Sequence, residues 1–159
     1  ERLARAALAG EVARERPWDE LLAVRRRRGE EAVAELEARL ADELEVAARR
    51  DRRRLENEYA ERIRRTRRRV ETGALDLGLH VAALWLRDVA CVGWGAPELI
   101  HHADRAELVA QDAEGRDPQR LLAGVELVEE TRRRLRSNVT EELALEALAY
   151  RLEALLATR

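Results

Sequence analysis

Methionine, phenylalanine and lysine are absent from this 159-residue chain, and cysteine occurs once, at Cys91. A single thiol excludes both a disulfide framework and a cysteine-rich zinc module. Aromatic residues make up only 3%, which leaves few rings to stack on bases. No run approaches the roughly 18 apolar residues that a membrane-spanning helix requires. There is no glycine-rich phosphate loop, which argues against a P-loop nucleotide site. Ser137 is the only serine, and no histidine is near it in sequence, so a Ser-His-Asp arrangement has little support. Neither sign of charge dominates: 30 basic residues, all arginine, face 32 acids for a net −2. That balance argues against a surface built throughout for DNA or anionic lipid. The opening residues carry no signal or transit pattern. Because residue 1 is Glu rather than Met, the chain is expected to be a piece of something longer.

What is present favours helix nearly everywhere. Hydrophobic residues make up 46% and charged residues 39%, with Ala, Leu, Glu and Arg dominant, a mixture of strong helix formers. Apolar residues recur at three and four, and no strand-like alternation survives. The spacing predicts a short helix over residues 2–14. A second helix starts at Pro17, whose missing N–H is unbonded in a first turn anyway, and ends near Gly29. A third carries Val33, Leu36, Leu40, Leu44 and Ala47 on one face. The longest element is expected over about residues 51–92, with Leu55, Tyr59, Ile63, Val70, Leu77, Val81, Leu84 and Cys91 as its stripe. Gly73 and Gly78 inside it suggest a bend or a close neighbour. Gly93, Gly95 and Pro97 stop it. Asp104 with Glu107 reads as a capping box, residues 112–118 as a surface turn, and Asp117-Pro118 as a helix start. Thr140 is expected to cap the last helix, with Leu145, Leu148, Leu152 and Leu155 inward. The expected fold is an all-α bundle of about five to six helices around one long central helix, a single domain over 1–159.

Charge is strongly segregated. Residues 30–46 hold seven acids and one arginine, a local −6, whereas residues 49–69 hold eleven arginines and four acids, a local +7. Arg64, Arg65, Arg67, Arg68 and Arg69 could each neutralise a phosphate in sequence-blind binding. The favoured alternative is a solvated helix whose arginines pair with Glu56, Glu58, Glu61 or the preceding acidic helix. Other constellations are weaker. Glu98, His101, His102 and Asp104 are the only metal-ligand types in proximity, in a connector rather than on one helix face. His80 follows Asp76 by one turn, which suits surface pairing. Cys91 reads as a small core residue. No metal, cofactor or small-molecule substrate is implied, and an enzyme is not expected.

Three stretches taken together are more informative: Leu84-Trp85-Leu86-Arg87-Asp88, then Gly95-Ala96-Pro97-Glu98-Leu99 with Asp104-Arg105, then Asn138-Val139-Thr140 with Leu143-Ala144-Leu145-Glu146-Ala147-Leu148. In this order and spacing they resemble the C-terminal region of the delta-prime subunit of the bacterial DNA polymerase III clamp loader, in its arginine-rich, actinobacterial-type form. The resemblance spans roughly residues 49–156. It implies a cytoplasmic, helical collar domain that packs beside the collars of gamma/tau and delta in a ring that uses ATP to place the sliding clamp on DNA. Residues 1–48 would lead from an AAA+ region, and the first residues of the last helix, Thr140-Glu141-Glu142, depart from the family's frequent Asn-Pro start. DNA would be met indirectly, and no membrane. The motif residues singled out are Trp85, Arg87, Asp88, Asn138, Leu145 and Glu146. Trp85 and Trp94 are large enough to anchor a core or a subunit interface, and core is the favoured reading of each. Arg87, which cannot face its helix neighbour Asp88, is expected to reach Glu146, and Asn138 to bond backbone at its turn. Rival readings are a gamma/tau collar, an arginine-rich helical nucleic-acid-binding module, and a small helical adaptor dimer.

Overall fold

A computed structural model describes residues 1–137 and 139–157. These residues form seven α-helices and no strand: α1 (Arg2–Ala9), α2 (Val12–Glu15), α3 (Pro17–Val46), α4 (Arg49–Gly93), α5 (Ala106–Ala113), α6 (Pro118–Leu135) and α7 (Glu141–Leu156). Two 3₁₀ turns, Pro97–Leu99 and Ala103–Arg105, lie in the connector between α4 and α5. No helix among the described residues is long and apolar enough to cross a membrane. The all-α expectation holds. The chain divides into two compact units, residues 1–20 with 76–159, and residues 21–75.

The first unit is a helical bundle with a dense apolar core. Leu79, Ala82, Trp85, Leu86, Val89 and Ala90 on the second half of α4 are fully buried, as are Leu145, Leu148, Ala149 and Leu152 on α7. Period 3.6 places each set on one helical face. α1 packs on α7 through Leu3, Ala4, Ala7 and Leu8, all buried, and its alanines keep that contact close. α6 packs on α7. At Gly124 of α6 a Cβ would lie 3.2 Å from a Leu86 methyl and 3.4 Å from one of Leu156, so the lack of a side chain there sets how closely three helices approach. Arg116 ties helix ends together: its guanidinium donates to the Leu156 carbonyl at 2.6 Å and to the Leu8 carbonyl at 2.7 Å. These carbonyls lie in the last turns of α7 and α1, where a cation also meets the negative end of each helix dipole.

The second unit is an antiparallel hairpin, the C-terminal part of α3 against the N-terminal part of α4. Its register is set by Arg25 meeting Glu71 at 2.8 Å near the start and by the Tyr59 hydroxyl donating to Glu43 at 2.5 Å further along. Its core is thin: Val33, Leu36, Tyr59 and Leu75 are its buried apolar side chains.

Several local expectations change. The helix that starts at Pro17 does not end at Gly29 but continues to Val46. Gly29 is buried, and a Cβ there would sit 2.6 Å from a Glu71 carboxylate oxygen, so this glycine is an approach point between helices rather than a stop. Gly73 has no neighbour within 4 Å of a built Cβ, so it marks no close approach. Asp117 caps α6 as expected, accepting the Gln119 N–H at 2.9 Å with Pro118 in the first turn. Thr140 occupies the N-cap of α7, but its side chain makes no capping bond. Asp104 does not cap α5: it lies in the 3₁₀ turn, and the N-cap residue is Arg105. Asp112 is not in a surface turn but in α5. Cys91 is half-buried.

Candidate functional site

The most organised polar cluster surrounds Asp88, whose side chain is completely buried. It lies on the core-facing side of α4, beside Trp85 and Val89, and its carboxylate gathers the connector that follows the helix. The backbone N–H groups of His101 and His102 each donate to Asp88 Oδ2 at 2.9 Å, and the His102 ring Nδ1 lies 2.7 Å from the same oxygen. Arg87 reaches Asp88 Oδ1 at 3.2 Å. Burial alone would raise the carboxyl's pKa, but the His102 and His101 hydrogen bonds outweigh it and hold the group below its ordinary value. Asp88 is therefore ionised and serves as an anion around which two successive backbone N–H groups fold. The His102 ring packs edge-on against Trp85, with centroids 5.2 Å apart.

Trp85 is fully buried and is fixed at its polar end as well. Its indole N–H donates to Asp112 Oδ2 at 2.9 Å, and Asp112 also receives Arg5 Nε at 3.0 Å. One carboxylate of α5 thus links α4 to α1. Buried indole N–H groups call for such a partner. A further tie joins Asp76 at the start of the bundle part of α4 to Arg132 of α6, through nitrogens 3.1 and 2.8 Å from its two oxygens. The Arg132 hydrogen bonds hold Asp76 below the usual carboxylate range and raise Arg132 in turn. His80 does not pair with Asp76 as expected: its Nδ1 lies 3.2 Å from the same guanidinium, which stands between them.

The residues singled out from sequence fall into three groups. Trp85, Asp88 and Arg87 converge on the connector. Leu145 is core. Arg87 does not reach Glu146. It donates instead to the Leu99 carbonyl at 3.2 Å and contacts His101 Nδ1 at 2.7 Å, while Glu146 lies in the field of Arg16, whose main partner is Asp19 at 2.8 Å. The reach of an arginine side chain lets Arg87 bend back to its neighbour, which a reading from backbone direction alone misses. Asn138 lies outside the described residues. Glu98, His101, His102 and Asp104 do not converge, and among the described residues no three His, Cys, Asp or Glu side chains are placed to hold a metal. Trp94 is 53% exposed, which overturns its reading as a core anchor, and Leu99, next along the connector, is 55% exposed. Asp112, Arg116 and Arg132 went unnoticed in the sequence, because a charged residue in a polar stretch carries no local sign of a partner tens of residues away.

The arginine segment belongs to the hairpin. Arg64 and Arg65 both meet Glu61, at 2.8 and 3.7 Å, and Arg54 meets Glu58 at 3.8 Å. These are exposed pairs along one helix, and each contributes little. Arg67, Arg68 and Arg69 are exposed. Arg62 covers the Tyr59 ring at 5.7 Å.

Together these contacts define a class. This is an all-α packing domain in which one buried carboxylate, Asp88, and the half-buried Asp112 and Asp76 bind helices and a connector to one another. The family model for the C-terminal region of the DNA polymerase III delta subunit matches residues 52–154, more than half of the chain, and the chain belongs to that family. It is a clamp-loader subunit domain. The matched segment takes in nearly all of α4 and most of α7, and α1, α2 and α3 lie before it. No curated protein and no solved structure matches the chain.

Proposed function

We propose that this chain is the collar domain of a delta-prime subunit: a scaffold that joins neighbouring gamma/tau and delta collars in the clamp-loader ring, with no catalysis, metal or cofactor of its own. Its working place is the cytoplasm, and its contact with DNA as a collar is indirect. The observation that carries this reading is the coupling of two sequence motifs through one buried group. Asp88 and Arg87, in the Leu84–Asp88 stretch, hold the backbone at Leu99, His101 and His102, directly after the Gly95–Leu99 stretch. A motif pair of this kind keeps a connector in one shape, which suits a surface presented to a neighbouring subunit. Trp94 and Leu99 stand exposed on that connector, and Leu77 and Leu143 are more than 60% exposed on α4 and α7. Exposed tryptophan is a common anchor of subunit contacts, and exposed leucines around it suit a surface that a neighbour covers.

The test is reconstitution with the full-length protein, followed by native mass spectrometry. The expected result is a ring that contains this protein beside both gamma/tau and delta. Displacement of delta from the ring would make the chain a delta collar instead. Nucleotide hydrolysis by the full-length subunit alone would favour gamma/tau. Trp94→Ser, at an exposed position that leaves the core intact, should weaken ring assembly at least tenfold while the helical content is retained.

A further inference from the structure

Beyond the collar reading, we propose that the hairpin formed by residues 21–75 carries a sequence-blind binding surface for the phosphate backbone of duplex DNA, centred on Arg67, Arg68 and Arg69 with Arg64 and Arg65 beside them. The charge of the chain is divided unevenly. Residues 1–20 and 76–159 carry a net −6, whereas residues 21–75 carry a net +4. Within the hairpin the imbalance is narrower still. Residues 25–31 and 61–71 hold ten arginines and four acids, a net +6, while residues 32–60 between them carry a net −2. The two basic segments lie at one level of the hairpin, because Arg25 and Gly29 on α3 both meet Glu71 on α4.

Three of the four acids at this level are held by arginines other than Arg67, Arg68 and Arg69: Glu71 by Arg25, Glu31 by Arg27 and Arg28, and Glu61 by Arg64 and Arg65. Glu37 of α3 lies with Glu71 in a shallow groove lined by Val33, Ile63, Arg64, Arg67 and Arg68. Even so, no carboxylate among the described residues comes within ion-pair distance of Arg67, Arg68 or Arg69. In the distal part, Glu35 meets Arg39 and Glu43 accepts from Tyr59. A folded domain with no need of these charges would leave them dispersed, since like charges at i and i+3 or i+4, as in Arg64 with Arg67 and Arg68 and Arg65 with Arg68 and Arg69, repel. Here they stand in an uninterrupted helix.

The geometry favours a duplex over other polyanions. Arg62 to Arg69 cover about 10 Å of helix axis at 1.5 Å per residue. The same length of duplex presents about six phosphate charges at one per 1.7 Å. Arginine forks suit phosphate oxygens. Nothing here reads bases: Tyr59 is buried and the exposed surface of this level offers no aromatic ring for stacking on unpaired bases.

The experiment is fluorescence anisotropy of the full-length protein with a labelled 20-base-pair duplex across 50–200 mM NaCl. With three to four phosphates neutralised, the slope of log K on log salt should be about −3 to −4, so that affinity falls roughly 100-fold across that range. R67A/R68A/R69A should weaken binding to all sequences alike and bring the slope to about −1. These side chains are exposed, so the fold is retained, and circular dichroism checks that. R14A/R133A/R134A removes the same charge from the other unit and should leave the slope unchanged. The proposal is overturned if both triple variants lower binding equally, if no salt-dependent binding occurs, or if single-stranded DNA or a poly-glutamate peptide binds more tightly than the duplex. It is also overturned if the wild-type chain self-associates through this face, a dimer that the R67A/R68A/R69A variant abolishes.

Discussion

The two units of this chain reach order by different means. In residues 1–20 with 76–159, Trp18, Trp85 and a set of leucines and valines are removed from water, and the buried Asp88 and half-buried Asp112 and Arg116 have partners across long stretches of sequence. In residues 21–75 only a thin seam is buried, and most polar contacts are between exposed charges three or four residues apart. The first unit has its specificity in tertiary contacts. The second has it in helix propensity and register. The contrast also follows charge, since the seam-like unit is the basic one.

Substitutions should separate the units sharply. The largest effect is expected from Trp85→Ala, which empties a fully buried site and leaves Asp112 with Arg5 alone: about 4 kcal/mol of stability lost, read by urea denaturation. Hydrogen exchange should show the loss in residues 76–157 with the hairpin protected as before. If the hairpin lost protection to the same degree, the two units would be one cooperative block.

Asp88→Asn comes next, at about 2 kcal/mol, because a charged acceptor of several hydrogen bonds becomes a neutral one. This residue also gives the pH dependence its sign. Its folded pKa lies below that of an ordinary aspartate, near 3.9, as does that of Asp76. Their contribution is present above about pH 4 and is lost as pH falls through the lower folded values. Thermal melts from pH 7 to pH 2 should therefore show an acid limb that Asp88→Asn flattens. An unchanged limb would mean that other carboxylates control it.

Within the hairpin, Tyr59→Phe removes the hydroxyl bond to Glu43 and should cost about 1 kcal/mol, seen as faster exchange in residues 33–63 alone. The smallest effect is expected for Glu61→Gln, below about 0.5 kcal/mol, since Arg64 and Arg65 are exposed and screened. A larger loss there would show that the surface pairs, rather than the seam, hold the hairpin.

How much of this was legible in the sequence depends on the range of the interaction. The long α4, the start at Pro17, the cap at Asp117 and the inward Leu145, Leu148 and Leu152 of α7 follow from periodicity and capping chemistry within a few residues. The end assigned at Gly29 failed because a glycine weakens a helix only by about 1 kcal/mol, and here packing against α4 carries the helix through. The capping box at Asp104 failed because the connector is shaped by Asp88, sixteen residues earlier. The core reading of Trp94 failed because side-chain size alone does not say whether a neighbour covers the ring.

By itself the sequence determined the helical class, the charge division between residues 30–46 and 49–69, and the motif set that resembles a clamp-loader collar. These are local or compositional properties, and they survive any arrangement of the helices. Tertiary structure decided which carboxylates are buried, that Asp88 rather than Glu146 receives Arg87, and that Arg116 joins the ends of α1 and α7. Those outcomes depend on which distant backbone and side-chain groups share one low-dielectric space, where an unpartnered charge is too unfavourable to persist, and spacing along the chain does not encode that.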